Sequence, residues 1–301
     1  MNERYDVVIV GAGIAGISAA IYLKRSSLSF CLLERGAPGG KLNTIHRIDN
    51  YPGLPRISGL EFSISLQKQL SDLGGKIDYG NVVEATKSDW GFALRLDSGK
   101  TVYCSSIICA SGSSERKLGI PGEKEFFGKG VSYCATCDGA FFRGQDVLVY
   151  GYKDFAAEDA LYLSSICRKV YFVHPRPLEV VYSHLEELRA CPNVEILEGE
   201  LESLGGDSRL TYAVLADSRK LEVSGAFPLF EQTSGSAFLA PLGVKEEKGF
   251  IVVDVDMQSS VEGVYACGDV VSKRLRQLSN AAGEGAIAAT AVIARIKGRK
   301  G

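Results

Sequence analysis

The residues best suited to chemistry stand together near the middle of the chain, in Ser132-Tyr133-Cys134-Ala135-Thr136-Cys137-Asp138-Gly139. Two cysteines separated by two residues can close a tight disulfide and reopen as a dithiol. One thiol of such a pair typically has a lowered pKa, which makes it a thiolate nucleophile near neutral pH. The same spacing suits half of a zinc knuckle or an incidental pair of buried thiols. Zinc is the weakest of these readings, because no second cysteine pair or close histidine pair completes four ligands. No metal is expected. The choice between redox chemistry and structure rests on what flanks the pair.

Residues 5–10 form a short, β-branched strand, followed by Gly11-Ala12-Gly13-Ile14-Ala15-Gly16, helical text through Leu23, and a second apolar strand from Phe30 that ends in Glu34. This is a dinucleotide-binding fingerprint in its proper context. Gly11 makes the turn, Gly13 lets the backbone approach a pyrophosphate, and Gly16 lets helix and strand pack. The helix N-terminus faces the phosphates, and Glu34 can accept from ribose hydroxyls. Gly39-Gly40-Lys41-Leu42 and Asp49-Asn50-Tyr51-Pro52-Gly53 read as loops able to line the ligand. Leu60 to Leu73 has helical periodicity. Val82–Ala85, Phe92–Leu96 and Thr101–Cys104 read as a meander, and Ser106–Ala110 as a further buried strand ending at Ser111-Gly112. Near the C-terminus a strand ends in Gly268-Asp269, and Arg276-Gln277-Leu278 precedes a small-residue helix, Ala281 to Ala294.

Beyond the cysteine pair the chain repeats itself. Asp146–Gly151 restates Asp6–Gly11, and the offset of 140 (151 − 11) holds without a gap to the strand Val170–Val173. The expected fold is therefore α/β, with two Rossmann-like dinucleotide-binding domains, the second inserted into the first. The expected boundaries are 1–114 and 241–301 for the first domain and 115–240 for the insert. In the repeat, Lys153 stands where Gly13 stands, Ala156 where Gly16 stands, and His174 where Glu34 stands. A Cβ at Lys153 occupies space a pyrophosphate needs, Tyr152 and Phe155 crowd the same turn, and Pro175 and Pro177 stiffen the loop around Arg176. The fold is kept while its ligand site looks spoiled.

Lys plus Arg is 34 and Asp plus Glu is 36, a net charge of −2, so no global basic field points to nucleic acid. The uncharged run Val7–Leu23 is broken by Gly11, Gly13 and Gly16, and reads as strand, turn and helix rather than as a membrane anchor or signal peptide. Cys31, Cys104, Cys109 and Cys267 lie in apolar strand-like runs and read as inert buried thiols, with Cys167 and Cys191 structural as well. That usage suits a reducing, cytoplasmic location.

Taken together, the glycine fingerprint with Glu34, the Gly39–Leu42 and Asn50–Gly53 loops, Cys134-Ala135-Thr136-Cys137-Asp138-Gly139, Gly268-Asp269 and Arg276-Gln277 resemble low-molecular-weight thioredoxin reductases over essentially the whole chain. The resemblance implies a homodimer with one FAD per subunit and thioredoxin as substrate. It implies that Cys137 faces the flavin, that Cys134 attacks the substrate disulfide, and that Asp138 is the acid/base. It places FAD against Gly11, Gly13, Ile14, Ala15, Gly16 and Glu34, with Arg35 alongside. Gly40, Lys41, Leu42, Asn50, Val83 and Gly112 follow, and then Gly268, Asp269, Arg276, Gln277 and Leu278.

Departures fall elsewhere. The family's nicotinamide domain normally reads Gly-x-Gly-x-x-Ala, then His-Arg-Arg. Here those places read Gly151-Tyr152-Lys153-Asp154-Phe155-Ala156 and His174-Pro175-Arg176-Pro177, and Phe227–Glu231 replaces a glycine-bearing strand end. This pattern is similar to NADPH-independent, ferredoxin-dependent members. It implies electrons entering FAD from another donor, with Lys273, Arg274, Arg295, Lys297, Arg299 and Lys300 available to dock an acidic one. The alternatives are an NADPH enzyme with Lys153 and Arg176 gripping the phosphates, a dithiol oxidase, and a redox-sensing module that holds FAD without turnover.

Overall fold

The structure is a computed structural model that describes residues 3–45, 47–115, 117–175, 177–230 and 232–298. Arg176, Glu231, Arg299 and Lys300 lie outside the described residues. The chain divides into two compact units, Met1–Ser114 with Thr233–Gly301, and Glu115–Gln232.

In the first unit, β1 (Glu3–Val10) is a strand because Val7, Val8 and Ile9 are fully buried on both its faces. The turn at Gly11 leads into α1 (Ile14–Arg25), which lays Ile17, Ala19, Ala20 and Leu23 on the core and ends with Lys24 and Arg25 at its C-terminal, negative pole. Then come β2 (Phe30–Glu34), a 3-10 turn at Gly40–Thr44, and α2 (Gly59–Asp72). A capping box starts α2: Ser58 Oγ accepts from the Glu61 N–H, and the Glu61 carboxylate accepts from the Ser58 N–H. Strands β3 (Asp78–Tyr79), β4 (Val82–Ser88), β5 (Gly91–Leu96) and β6 (Thr101–Cys109) complete the first pass.

The meander and the strand after it are not separate elements. β6 runs unbroken because it pairs in parallel with β1 through both stretches, from Glu3↔Val102 to Val10↔Cys109.

Next come the connecting strand β7 (Ser113–Glu115) and the second unit: α3 (Ala135–Asp138), β8 (Asp146–Tyr150), α4 (Asp154–Ser164), β9 (Lys169–His174), α5 (Tyr182–Ala190) and β10 (Val194–Glu198). A small antiparallel sheet of β11 (Leu201–Gly206), β12 (Leu210–Leu215) and β13 (Lys220–Glu222) follows, and then β14 (Gly225–Pro228). The parallel sheet here has the order β10-β9-β8-β14. The 140-residue repeat holds at the level of register: Val7↔Phe30 and Val10↔Leu33 in the first unit become Val147↔Val170 and Tyr150↔Val173 in the second.

The return runs through β15 (Gln232–Ser234), which pairs with β7, then β16 (Glu246–Glu247), β17 (Phe250–Ile251), β18 (Val264–Ala266) and α6 (Leu278–Gly298). The chain thus re-enters the first unit at Thr233, earlier than residue 241, because the 3-10 turn Ala237–Leu242 buries Phe238 and Leu239 in the first unit's core. The sheet order is β3-β2-β1-β6-β5-β4, and β18 lies off this path, paired in parallel with the second half of β6.

α6 packs on α1 at close range. A Cβ added at Gly285 would lie 2.1 Å from the Ala15 carbonyl oxygen, so nothing larger than glycine fits. Gly285→Ala is expected to cost about 1–3 kcal/mol, the usual penalty of overpacking, and to lower the thermal midpoint by several degrees in calorimetry. An unchanged midpoint would refute this close helix contact.

Candidate active site

Cys134 ends an extended stretch and caps α3, with Cys137 one turn on, and the two sulfurs are joined in a disulfide. The Cys137 N–H donates to Cys134 Sγ at 3.2 Å, and the Asp138 N–H donates to the Cys134 carbonyl oxygen at 3.2 Å. Ser132 is buried; its hydroxyl accepts from the Cys134 N–H at 3.1 Å and donates to Asp138 Oδ2 at 2.5 Å. Cys137 is exposed and Cys134 half-buried. The short helix sits on α4, where a Cβ at Gly139 would meet Leu163 at 2.8 Å and Tyr162 at 3.2 Å, so glycine sets how closely the pair seats.

The remaining six cysteines are unpaired, and all but Cys191 are buried. Burial pushes the thiols of Cys31 and Cys104 up to about 12, those of Cys109 and Cys167 up to about 11, and that of Cys267 higher still. Groups so protonated are poor nucleophiles.

The first unit builds a second constellation. Gly11 has φ +104°, and a Cβ there would lie 2.4 Å from the Ala110 carbonyl oxygen; at Gly16 it would lie 1.9 Å from that of Gly11. Gly13 differs: a Cβ there would meet no protein atom within 4 Å, so its backbone faces open space. It caps α1, whose first turn carries no acidic side chain, leaving N–H groups and the positive helix pole for an anion. The Glu34 carboxylate accepts from the N–H groups of Ala12 at 2.7 Å and Gly36 at 2.9 Å, so it braces the turn at the ribose end of the fingerprint. The Gly39 N–H donates to the Ala12 carbonyl oxygen at 2.8 Å, bringing Gly40 over Gly13. Lys41 Nζ donates to Asp269 Oδ2 and Ser113 Oγ, each at 3.0 Å, and Asn50 Nδ2 to Gln277 Oε1 at 3.0 Å. Residues far apart in sequence thus meet along one face.

A match to the family described as pyridine nucleotide-disulphide oxidoreductase covers residues 5–285. The thioredoxin reductase of Treponema pallidum is 38% identical over 304 residues, which cover 98% of this chain and 98% of that protein. The chain belongs to the low-molecular-weight thioredoxin reductase family. It is an FAD-dependent disulfide oxidoreductase of two dinucleotide-binding folds. The crystal structure of the thioredoxin reductase from Streptococcus pyogenes superposes with a TM-score of 0.94 at 33% identity, over 99% of this chain and 100% of that one. A ferredoxin-flavin thioredoxin reductase from Clostridium acetobutylicum matches with a TM-score of 0.56 at 30% identity, over 99% of each chain.

The first unit suits FAD, with the open approach at Gly13 and an α1 N-terminus that no side chain caps as the decisive features. Gly11, Gly13, Ile14, Ala15 and Gly16 would take the pyrophosphate, and Glu34, Arg35 and Val83 the adenosine end. Arg35 and Val83 are exposed there, and the Gly80 N–H donates to the Glu34 carbonyl oxygen. Gly40, Lys41, Leu42, Asn50, Gly112, Gly268 and Asp269 would take the ribityl and flavin end. Gly112 has open space at its Cβ position, whereas the Leu42 side chain is buried in the core, which leaves only its backbone to face a ligand. Arg276 is half-buried over the Phe250 ring and donates to the carbonyl oxygens of Lys273 and Val271, while its Nε is buried without a hydrogen-bond partner. With Gln277 and Leu278 it would close the cradle.

Two expected docking cations are structural. Lys273 Nζ is buried against the Glu284 carboxylate at 2.5 Å, and Glu284 also accepts from the Gly268 N–H at 2.8 Å and from Asn280. Arg295 donates to Ser105, Ser106 and Glu262 with its side chain only 15% exposed. Both are bound into the fold because α6 needs partners for the polar groups it covers. Glu284 was not singled out in the sequence, where it reads as one acid in a small-residue helix.

In the second unit the repeated turn is closed. Lys153 pairs with Glu179 at 3.7 Å, the Glu179 N–H donates to the Tyr152 carbonyl oxygen at 2.8 Å, and residues 153 and 179 form a bridge. Asp154 anchors the same segment by accepting from the Val181 N–H at 2.8 Å and pairing with His184 at 3.1 Å. Tyr152 is buried against Phe230, which packs on Tyr150. Phe155, by contrast, turns outward at 37% exposure and does not crowd the turn, because it lies on the solvent side of α4.

Proposed function

We propose that this flavoenzyme reduces the disulfide of thioredoxin with electrons that do not come from a nicotinamide, and that its donor is a ferredoxin. The carrying observation is the closed turn of the second unit. Where Gly13 leaves open space, the repeat carries the Lys153 side chain, paired with Glu179. The Glu179–Tyr152 hydrogen bond and the bridge between residues 153 and 179 tie a second segment to the turn, which argues against a pyrophosphate there. The likeness to a ferredoxin-flavin thioredoxin reductase supports the donor class. Arg274 and Lys297 are exposed cations suited to an acidic partner. A second copy of the chain completes a homodimer, which the exposed Leu60 and Ile64 on α2 support. The unpaired cysteines suit a reducing cytoplasm, and among the described residues no helix is long and apolar enough to cross a membrane.

Bound FAD supplies a two-electron store able to reduce the Cys134–Cys137 disulfide. The Cys137 N–H directed at Cys134 Sγ favours a thiolate there over a thiol. That thiolate attacks one sulfur of the substrate disulfide, forming a mixed disulfide and expelling the other sulfur as a thiolate. Cys137 then attacks Cys134 Sγ, which re-forms the protein disulfide and releases the second substrate sulfur. Asp138, next to Cys137, delivers the proton that the departing sulfur takes up.

The deciding experiment follows the visible flavin band anaerobically as NADPH, NADH or reduced ferredoxin is added. Reduced ferredoxin is expected to bleach the band and, with thioredoxin present, to produce thioredoxin dithiol. Prompt bleaching by NADPH would overturn the reading in favour of a nicotinamide enzyme.

A further inference from the structure

We propose that Ser132 is a positioning residue for disulfide exchange, tying the Asp138 carboxylate to the backbone of Cys134 so that the acid/base and the attacking sulfur are held as one piece. This rests on the reading of Asp138 as acid/base. Ser132 is only 5% exposed, and its own N–H donates to the Ala226 carbonyl oxygen on β14 at 3.0 Å, so its backbone is fixed to the central sheet. Its hydroxyl has one proton and two lone pairs. The proton has two acceptors in reach, Asp138 Oδ2 at 2.5 Å and the Cys134 carbonyl oxygen at 3.4 Å. The nearer acceptor is also the ionisable one, so the charge-assisted bond takes the proton. A lone pair then accepts the Cys134 N–H at 3.1 Å.

Neighbouring anchors make this bond directional rather than incidental. On the next residue, the Tyr133 hydroxyl donates to the buried Glu123 carboxylate at 2.8 Å, which also accepts from the N–H groups of Leu118 and Gly119. The chain entering Cys134 is therefore held on successive residues, by the sheet through Ser132 and by Glu123 through Tyr133. At the far end, Asp138 is fixed by its N–H to the Cys134 carbonyl oxygen. Ser132 Oγ closes a loop from residue 132 across to residue 138, and the loop encloses both sulfurs. Without the hydroxyl, the Asp138 side chain loses the contact that ties it to the backbone of Cys134 and so to the attacking sulfur.

The test uses dithionite-reduced holoenzyme and oxidised thioredoxin in single-turnover mixing. Ser132→Ala is expected to slow exchange by about ten- to a hundredfold, the loss of one hydrogen bond to a charged group. KM for thioredoxin should move less than twofold, and Ser132→Thr, which keeps the hydroxyl, should recover most of the rate. In an Asp138→Asn background, Ser132→Ala should add little, because its effect passes through the carboxylate. A Ser132→Ala rate within twofold of the parent, or the same slowing with and without Asp138, would overturn the proposal. If Asp138→Asn alone leaves the rate unchanged, the acid/base reading falls first and Ser132 falls with it. Matching melting curves for all variants keep a folding defect from passing as a positioning effect.

Discussion

Replacing Cys134 by serine is expected to lower thioredoxin reduction by at least about a thousandfold, the scale seen when an enzyme loses its nucleophile. A serine hydroxyl stays protonated where a thiol ionises, and it cannot form the mixed disulfide that splits the exchange into two steps. The flavin should remain bound, since the first unit alone carries the residues assigned to it and Cys134 lies in the second. The companion variant Cys137→Ser sharpens the assignment. It keeps the sulfur that receives the backbone N–H but removes the sulfur that resolves the intermediate, so it should accumulate a stable mixed disulfide with thioredoxin, visible on a non-reducing gel. If Cys134→Ser traps the adduct instead, the two sulfurs have the opposite roles.

The second large effect is expected at Gly13. Gly13→Val should fold with the melting temperature of the flavin-free parent, because a Cβ there meets no protein atom within 4 Å. It should nonetheless bind FAD about a thousandfold more weakly and purify without the yellow colour, because the open space belongs to the pyrophosphate. Gly11 and Gly16 cannot serve this test, since a Cβ at either collides with backbone at 2.4 Å or less and would disturb the fold itself. Full flavin occupancy in Gly13→Val would refute the placement of the phosphates. Fluorescence titration of the apo-protein with FAD gives the affinity directly.

These experiments divide along what the sequence made legible. The glycine spacing, the strand-ending Glu34, the cysteine pair and the repeat at an offset of 140 are short-range patterns. Each depends on backbone geometry within one βαβ unit, which is why the registers of the two sheets match residue for residue. The proposed loss of the second nucleotide site is likewise read from the sequence, since Lys153 stands where the first unit has Gly13.

What the tertiary structure alone decided involves partners far apart in the chain. Lys273 and Arg295 look like free surface cations in sequence, yet Glu284 neutralises one, and Ser105, Ser106 and Glu262 take up the other. Lys153 acquires its meaning from Glu179, and the return to the first unit at Thr233 from where Phe238 and Leu239 find a core. A charge or an apolar side chain is ambiguous until its environment is known, because burial and pairing reverse its energetic sign. Sequence spacing therefore determined the fold, the flavin and the sulfurs of this protein. Packing decided which charges are structural, how the repeated turn at Lys153 is tied to Glu179, and how Ser132 holds Asp138 beside the disulfide.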